Sequence, residues 1–171
     1  MSEQFIPCAV LTVSDRCASG EAEDQSGPVL VELLQNQLPG ARVTDTAVVP
    51  DEVAAIQVMI RRWADEQDVA LIVTTGGTGF APRDRTPEAV RPLLDREAPG
   101  LVVAMLNTSL AVTPYAMLSR PIAGMRDQTL IVTLPGNPKG ARENLERLLR
   151  ALPHGIALLR EMPGENQRHG R

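Results

Sequence analysis

The chain has 171 residues, enough for one domain of ordinary size that buries roughly 70% of its unfolded surface without a disulfide or structural metal. Hydrophobic residues make up 43% and charged residues 22%, as in a globular protein, yet there are only four aromatics (Phe5, Trp63, Phe80, Tyr115), two histidines and two cysteines. Cys8 and Cys17 form no CxxC or Cys/His cluster, which excludes a zinc site by spacing, and His154 and His169 lie far from any nucleophile-elbow serine or cysteine. A net charge of −4 leaves no electrostatic footprint for nucleic acid, and four aromatics make no base-stacking platform.

The N-terminal residues carry no basic segment ahead of an apolar run, and two thiols in a chain of this size suit a reducing compartment, so a cytoplasmic location is expected. Residues 98–119 are uncharged over about the length of a membrane-spanning helix, but Pro99, Gly100, Asn107, Pro114 and Ser119 interrupt them. The expectation is a buried helix plus a connection, part of it packing in a subunit contact or within the chain.

Residues 6–14 form a nearly continuous β-branched apolar run, the pattern of a strand buried on both faces of a parallel sheet. A loop of small and acidic residues, 16–25, follows it. Ser26-Gly27-Pro28 opens a helix with Leu30, Leu33, Leu34 and Leu38 at helical spacing, closed by Pro39-Gly40. Residues 41–49 are the next strand. Asp51 is expected to cap a helix running to about residue 66, with Val53, Ile56, Ile60 and Trp63 on its apolar face. Residues 69–74 are a third buried strand, Thr86-Pro87-Glu88 opens another helix, and 100–109 is helical. Residues 122–125 read as a short strand and 129–134 as the last clear one, before a helix starting at Asn137-Pro138 with Leu145, Leu148 and Leu149 as its stripe. The alternation predicts an α/β fold, three layers α/β/α around a mainly parallel sheet. A single domain is expected over 1–162, followed by a mobile polar tail at 163–171.

In open parallel sheets, ligands bind outside the carboxyl ends of the strands. Those positions hold Ser14-Asp15, Pro50-Asp51, Gly76-Gly77-Thr78-Gly79 with Arg83-Asp84 beyond, and Pro135-Gly136-Asn137. The glycine turn is neither a Walker A loop, which needs Lys-Ser/Thr, nor a dinucleotide fingerprint, which runs directly into a helix. It reads either as a plain chain reversal or as a nest of backbone N–H groups for an anion, with the Thr78 hydroxyl as a further donor. Asp84 alone suits a charge near a helix start paired with a neighbouring arginine, and Asp51 alone suits a cap. Two carboxylates beside a glycine nest are what Mg²⁺ bridging phosphate oxygens requires, with Asp15 as a third ligand or an exposed loop residue. Mg²⁺-assisted phosphoryl or nucleotidyl transfer to a small molecule is the chemistry these residues support.

The segments LTVSDRCASGEAEDQSGP, TTGGTGFAPRDRTPEA and AMLSRPIAG…LIVTLPGNPKG resemble those of the molybdopterin adenylyltransferase family, the MoaB/Mog-type domain that also forms the N-terminal domain of gephyrin. The resemblance covers essentially the whole chain, and it implies an enzyme that moves AMP from ATP to the terminal phosphate of molybdopterin, releasing pyrophosphate. By the same resemblance Asp84 and Asp51 are the catalytic and Mg²⁺-binding carboxylates. Ser14, Asp15, Gly76, Gly77, Thr78, Gly79, Gly136 and Asn137 form the substrate pocket. The family further implies a homotrimer and contact with other molybdenum cofactor pathway proteins. Competing expectations are a non-catalytic molybdopterin-binding or scaffolding module of the same fold, and a nucleotide-sugar or pyridine-nucleotide hydrolase on the same general architecture, which would hydrolyse a nucleotide with no pterin present.

Overall fold

The computed structural model describes residues 5–162; the expected tail at 163–171 and His169 lie outside them. The strands are β1 (Ile6–Val13), β2 (Ala41–Val49), β3 (Leu71–Thr75), β4 (Arg96–Glu97), β5 (Ala123–Arg126) and β6 (Thr129–Leu134). They form one sheet in the order β2-β1-β3-β6-β5-β4. Strands β2, β1, β3 and β6 run parallel, while β5 and β4 are added antiparallel at the far edge. The sheet is therefore mixed, with its four longest strands parallel.

Alternation along the central strands distributes their side chains to two layers. Cys8 and Val10 of β1, Leu71 and Val73 of β3, and Leu130, Val132 and Leu134 of β6 enter one core with α2 (Ser26–Gln37), α5 (Pro99–Leu110), α6 (Pro138–Leu148) and α7 (Leu152–Leu159). Ala9, Leu11 and Val13, with Ile72 and Ile131, enter the other core with α3 (Val53–Arg61) and α4 (Thr86–Val90). Burial on both faces explains the continuous apolar runs of β1, β3 and β6. Strand β2 is an edge, and its half-buried and exposed residues alternate. Cys8 is fully buried, and burial pushes its thiol up to about 12, so it behaves as a small hydrophobe.

Three local expectations are corrected. Residues 15–18 are a short helix, α1 (Asp15–Ala18), rather than loop, because the Ser14 side chain accepts the Cys17 N–H at its start. The α3 helix is regular only to Arg61; residues Arg62–Glu66 continue it as one π turn, which sets fully buried Trp63 to donate from Nε1 to Asp45 Oδ2 at 2.9 Å. Asp51 does not cap α3. Glu52 occupies the cap position, and the Asp51 carboxylate accepts the N–H of Asp15 instead. Residues 98–119 divide into the 12-residue α5 and a 3-10 segment, Pro114–Leu118; among the described residues no helix is long and apolar enough to cross a membrane.

Candidate active site

The carboxyl ends of β1, β3 and β6 meet backbone against backbone. Gly76 follows β3 with φ +100° and donates its N–H to Leu134 O, while any Cβ on it would collide with the Val13 carbonyl. A Cβ on Gly136 would stand 3.2 Å from Gly76 Cα. Glycine is thus demanded at Gly76 by both conformation and space. Thr86, fully buried at the start of α4, fastens the turn by donating its hydroxyl to Gly76 O at 2.8 Å and its N–H to Gly77 O at 3.0 Å.

Above this junction lies a cavity of about 490 Å³ lined by Ser14, Asp24, Asp51, Gly76, Gly77, Asp84 and Gly136 among others, a volume suited to a small-molecule ligand. Both expected carboxylates lie against the glycine turn: a Cβ on Gly77 would stand 3.0 Å from Asp51 Oδ1, and one on Gly79 would stand 2.7 Å from Asp84 Oδ2. Asp84 closes its own turn, accepting the Ala81 N–H at 2.9 Å, and the neighbouring Arg83 turns away to Asp15. In place of the alternative reading, Asp84 paired with a neighbouring arginine, its carboxylate takes a backbone contact.

Asp15 and Asp51 hold each other. Asp51 Oδ2 accepts Asp15 N–H at 2.8 Å and Asp15 Oδ1 accepts Asp51 N–H at 3.0 Å, a reciprocal clasp between the ends of β1 and β2. Arg83 donates to both Asp15 oxygens at 2.8 and 2.7 Å. That bidentate hydrogen bond, and then the Asp51 N–H, hold the Asp15 carboxyl below the usual carboxylate range. Asp51 shifts the other way: burial raises it, and the charges of Asp15 and Asp84 add to the rise. The negative charge gathered around Asp51 makes a place where a cation is favoured. Among the described residues no group of three His, Cys, Asp or Glu is placed to hold a metal. The donor set is two carboxylates, which suits Mg²⁺, an ion that takes its other ligands from substrate phosphates and water.

The remaining expected residues are placed as follows. Ser14 lines the cavity and caps α1. Thr78 is buried with its hydroxyl 3.4 Å from that of Ser119 and does not line the cavity, and Gly79 turns its carbonyl to Arg120. Asn137 caps α6 by accepting the Gly140 N–H and lines an adjoining apolar cavity of about 370 Å³. Asp24 was not anticipated. It accepts from Thr12 Oγ1 at 2.7 Å and Gly27 N–H at 2.9 Å, sealing the start of α2 on the cavity wall. An aspartate three residues before a helical glycine is a capping signal that could have found it.

Residues 9–154 match the family described as a probable molybdopterin binding domain. The chain belongs to this family. It is 54% identical over 162 residues to gephyrin of Dictyostelium discoideum, covering 90% of this chain. It is 41% identical over 156 residues to molybdopterin adenylyltransferase of Helicobacter pylori, covering 91% of this chain and 89% of that one. The same comparison with the Escherichia coli enzyme gives 40% over 151 residues, 86% and 77%. The chain spans 22% of the length of the Dictyostelium gephyrin and 26% of Drosophila melanogaster cinnamon. Its fold matches the crystal structure of MoaB from Thermus thermophilus with a TM-score of 0.87 and 48% identity, covering 93% of this chain and 99% of that one.

Proposed function

We propose that this chain is a molybdopterin adenylyltransferase of molybdenum cofactor biosynthesis. A terminal phosphate oxygen of molybdopterin forms a bond to the α-phosphorus of ATP, the bond from that phosphorus to the bridging oxygen breaks, and pyrophosphate leaves with the electron pair. Relatives of about 40% identity over most of the chain carry that name. The observation that carries the reading is the placement of the Asp51 and Asp84 carboxylates on either side of one glycine turn at the cavity.

Two polyanions must be brought together in line, so the site has to offset their repulsion and fix their geometry. Asp51 and Asp84 would hold Mg²⁺, which supplies charge neutralisation to the phosphates. The turn at Gly76 and Gly77 brings backbone close to the anions, the Asp15–Asp51 clasp fixes the carboxylate on the β2 side, and the wall at Ser14, Asp24 and Gly136 shapes the pocket. An ionised phosphate attacks without a general base, so no histidine is needed. The apolar side chains of Val103 and Leu110 on α5, and of Tyr115, Met117 and Leu118 beyond it, are exposed; they supply a face for a homotrimer, to be read by sedimentation equilibrium. A cytoplasmic location and contacts with other cofactor-pathway proteins complete the proposal.

Purified protein mixed with ATP, Mg²⁺ and molybdopterin should release pyrophosphate. A folded wild type that binds molybdopterin and releases none would instead be the non-catalytic module, and release without the pterin would mark a nucleotide hydrolase.

A further inference from the structure

We propose that Arg120 is the positioning residue that sets Asp84 for adenylyl transfer; the inference rests on the transferase reading above. Asp84 sits at the end of a segment, residues 80–83, whose residues are all exposed, including the ring of Phe80. No apolar packing fixes these residues, and the segment is held by polar contacts. The bond between Asp84 N–H and Ala81 O, and its counterpart from Ala81 N–H to the Asp84 carboxylate, closes the segment upon itself without attaching it to the sheet.

Arg83 ties the exposed side of the segment to Asp15, and both ends of its backbone are held by one residue 36 positions beyond Asp84. Arg120 donates its backbone N–H to Thr78 O at 2.8 Å, Nε to Gly79 O at 2.9 Å and Nη2 to Asp84 O at 2.8 Å, and its Nη1 pairs with Glu88 on α4. A planar guanidinium that holds carbonyls at both ends of a short segment fixes their separation, which a flexible ammonium cannot do. Arg120 does not line the cavity of Asp51 and Asp84; it borders a different surface depression, with Pro87, Arg91 and Leu106. It therefore acts through the backbone of Asp84 rather than by touching substrate.

A matched control exists elsewhere in the molecule. Arg126 also makes three guanidinium contacts, two to Asp65 and one to Leu93 O, away from the cavity. Wild type, R120Q, R120K and R126Q are compared for pyrophosphate release with ATP and molybdopterin, for melting temperature, and for hydrogen exchange at the Ala81 and Asp84 amides. R120Q should lose about 100-fold in kcat, the loss typical of a small misplacement, with KM for ATP within about threefold of wild type. R120K should fall between them, since it restores charge without the double contact. R126Q should melt as R120Q does and keep wild-type kcat. Exchange at Ala81 and Asp84 should quicken in R120Q alone. The inference is overturned if kcat of R120Q stays within about threefold of wild type, or if R126Q loses as much. Should R120Q not fold, R120K with wild-type kcat and wild-type exchange overturns it. If wild type transfers no adenylyl group, the transferase reading fails by itself, and unchanged exchange in R120Q overturns the positioning of Asp84 separately.

Discussion

At the amino ends of the parallel strands, aspartates are neutralised by arginines. Asp65 takes both Nε and Nη2 of Arg126 at 2.8 and 2.7 Å, and Asp68, just before β3, takes Nη2 of Arg160 at 2.7 Å. At the carboxyl ends, Asp51 and Asp84 accept backbone N–H groups, from Asp15 and Ala81, and the nearby arginine goes to Asp15. The titration behaviour follows: Arg126 lowers the Asp65 carboxyl, whereas burial and neighbouring negative charge raise that of Asp51. The lower rim spends its carboxylates on attachment, whereas on the proposed function the upper rim keeps two of them for a ligand that brings its own cation.

The largest effect expected from breaking this contrast is at Asp84. Asp84→Asn keeps an oxygen for the Ala81 N–H but removes the charge, so pyrophosphate release should fall by about 10³-fold, the scale of losing a principal electrostatic group. Melting temperature and molybdopterin binding, followed by pterin fluorescence, should stay near wild type. Loss of folding in this variant would show that Asp84 serves attachment after all. By contrast Asp65→Asn at the lower rim should leave kcat unchanged and cost at most about 1 kcal/mol in urea titration, because the pair is partly exposed.

Next in size is Gly76→Ala, which tests whether the upper rim depends on close backbone approach. The methyl meets the Val13 carbonyl in a conformation that alanine disfavours. Urea unfolding should show a loss of about 3 kcal/mol, the range for combined strain and steric clash. An alanine variant of wild-type stability would mean that β1 and β3 separate easily at the rim. Smaller again is Arg83→Gln. The exposed Asp15 should lose its bidentate partner, its carboxyl should titrate closer to 3.8 by NMR, and kcat should drop by about tenfold as the clasp on Asp51 loosens. An unmoved Asp15 titration would remove Arg83 from the chain of contacts.

Much of this organisation was legible in the residues. The apolar runs at 6–14, 69–74 and 129–134 lie on strands buried on both faces, and the positions after them form one rim because parallel strands place all their carboxyl ends together. What escaped was long-range. Pro50-Asp51-Glu52 looks like a helix cap, but the Asp15 N–H, 36 residues away in sequence, competes successfully for the Asp51 carboxylate. Thr78 gives no local sign that Ser119, 41 residues along the chain, stands beside its hydroxyl. Arg120 carries no local signal at all, since its partners are carbonyl oxygens whose position depends on the finished fold. Local propensity identifies elements; the allocation of each polar side chain is settled by tertiary contacts.

The smallest expected effect is also of opposite sign. Because the folded state raises the Asp51 carboxyl above its ordinary 3.8, the folded protein binds the proton more tightly than the unfolded chain, and Asp51 disfavours folding once it is ionised. Its cost is absent below pH 3.8, appears as the pH rises from there through the folded-state value, and is constant above that. Asp51→Asn can still accept the Asp15 N–H and carries no charge, so it should lose turnover yet melt above wild type at neutral pH. The two melting curves should converge as the pH approaches 3.8, and added Mg²⁺ should raise the melting temperature of wild type more than that of the variant. A variant that melts below wild type at pH 7 would mean that the clasp needs the negative charge. Asp51 would then belong with the attachment carboxylates of the lower rim, and Asp84 alone would distinguish the two ends of the sheet.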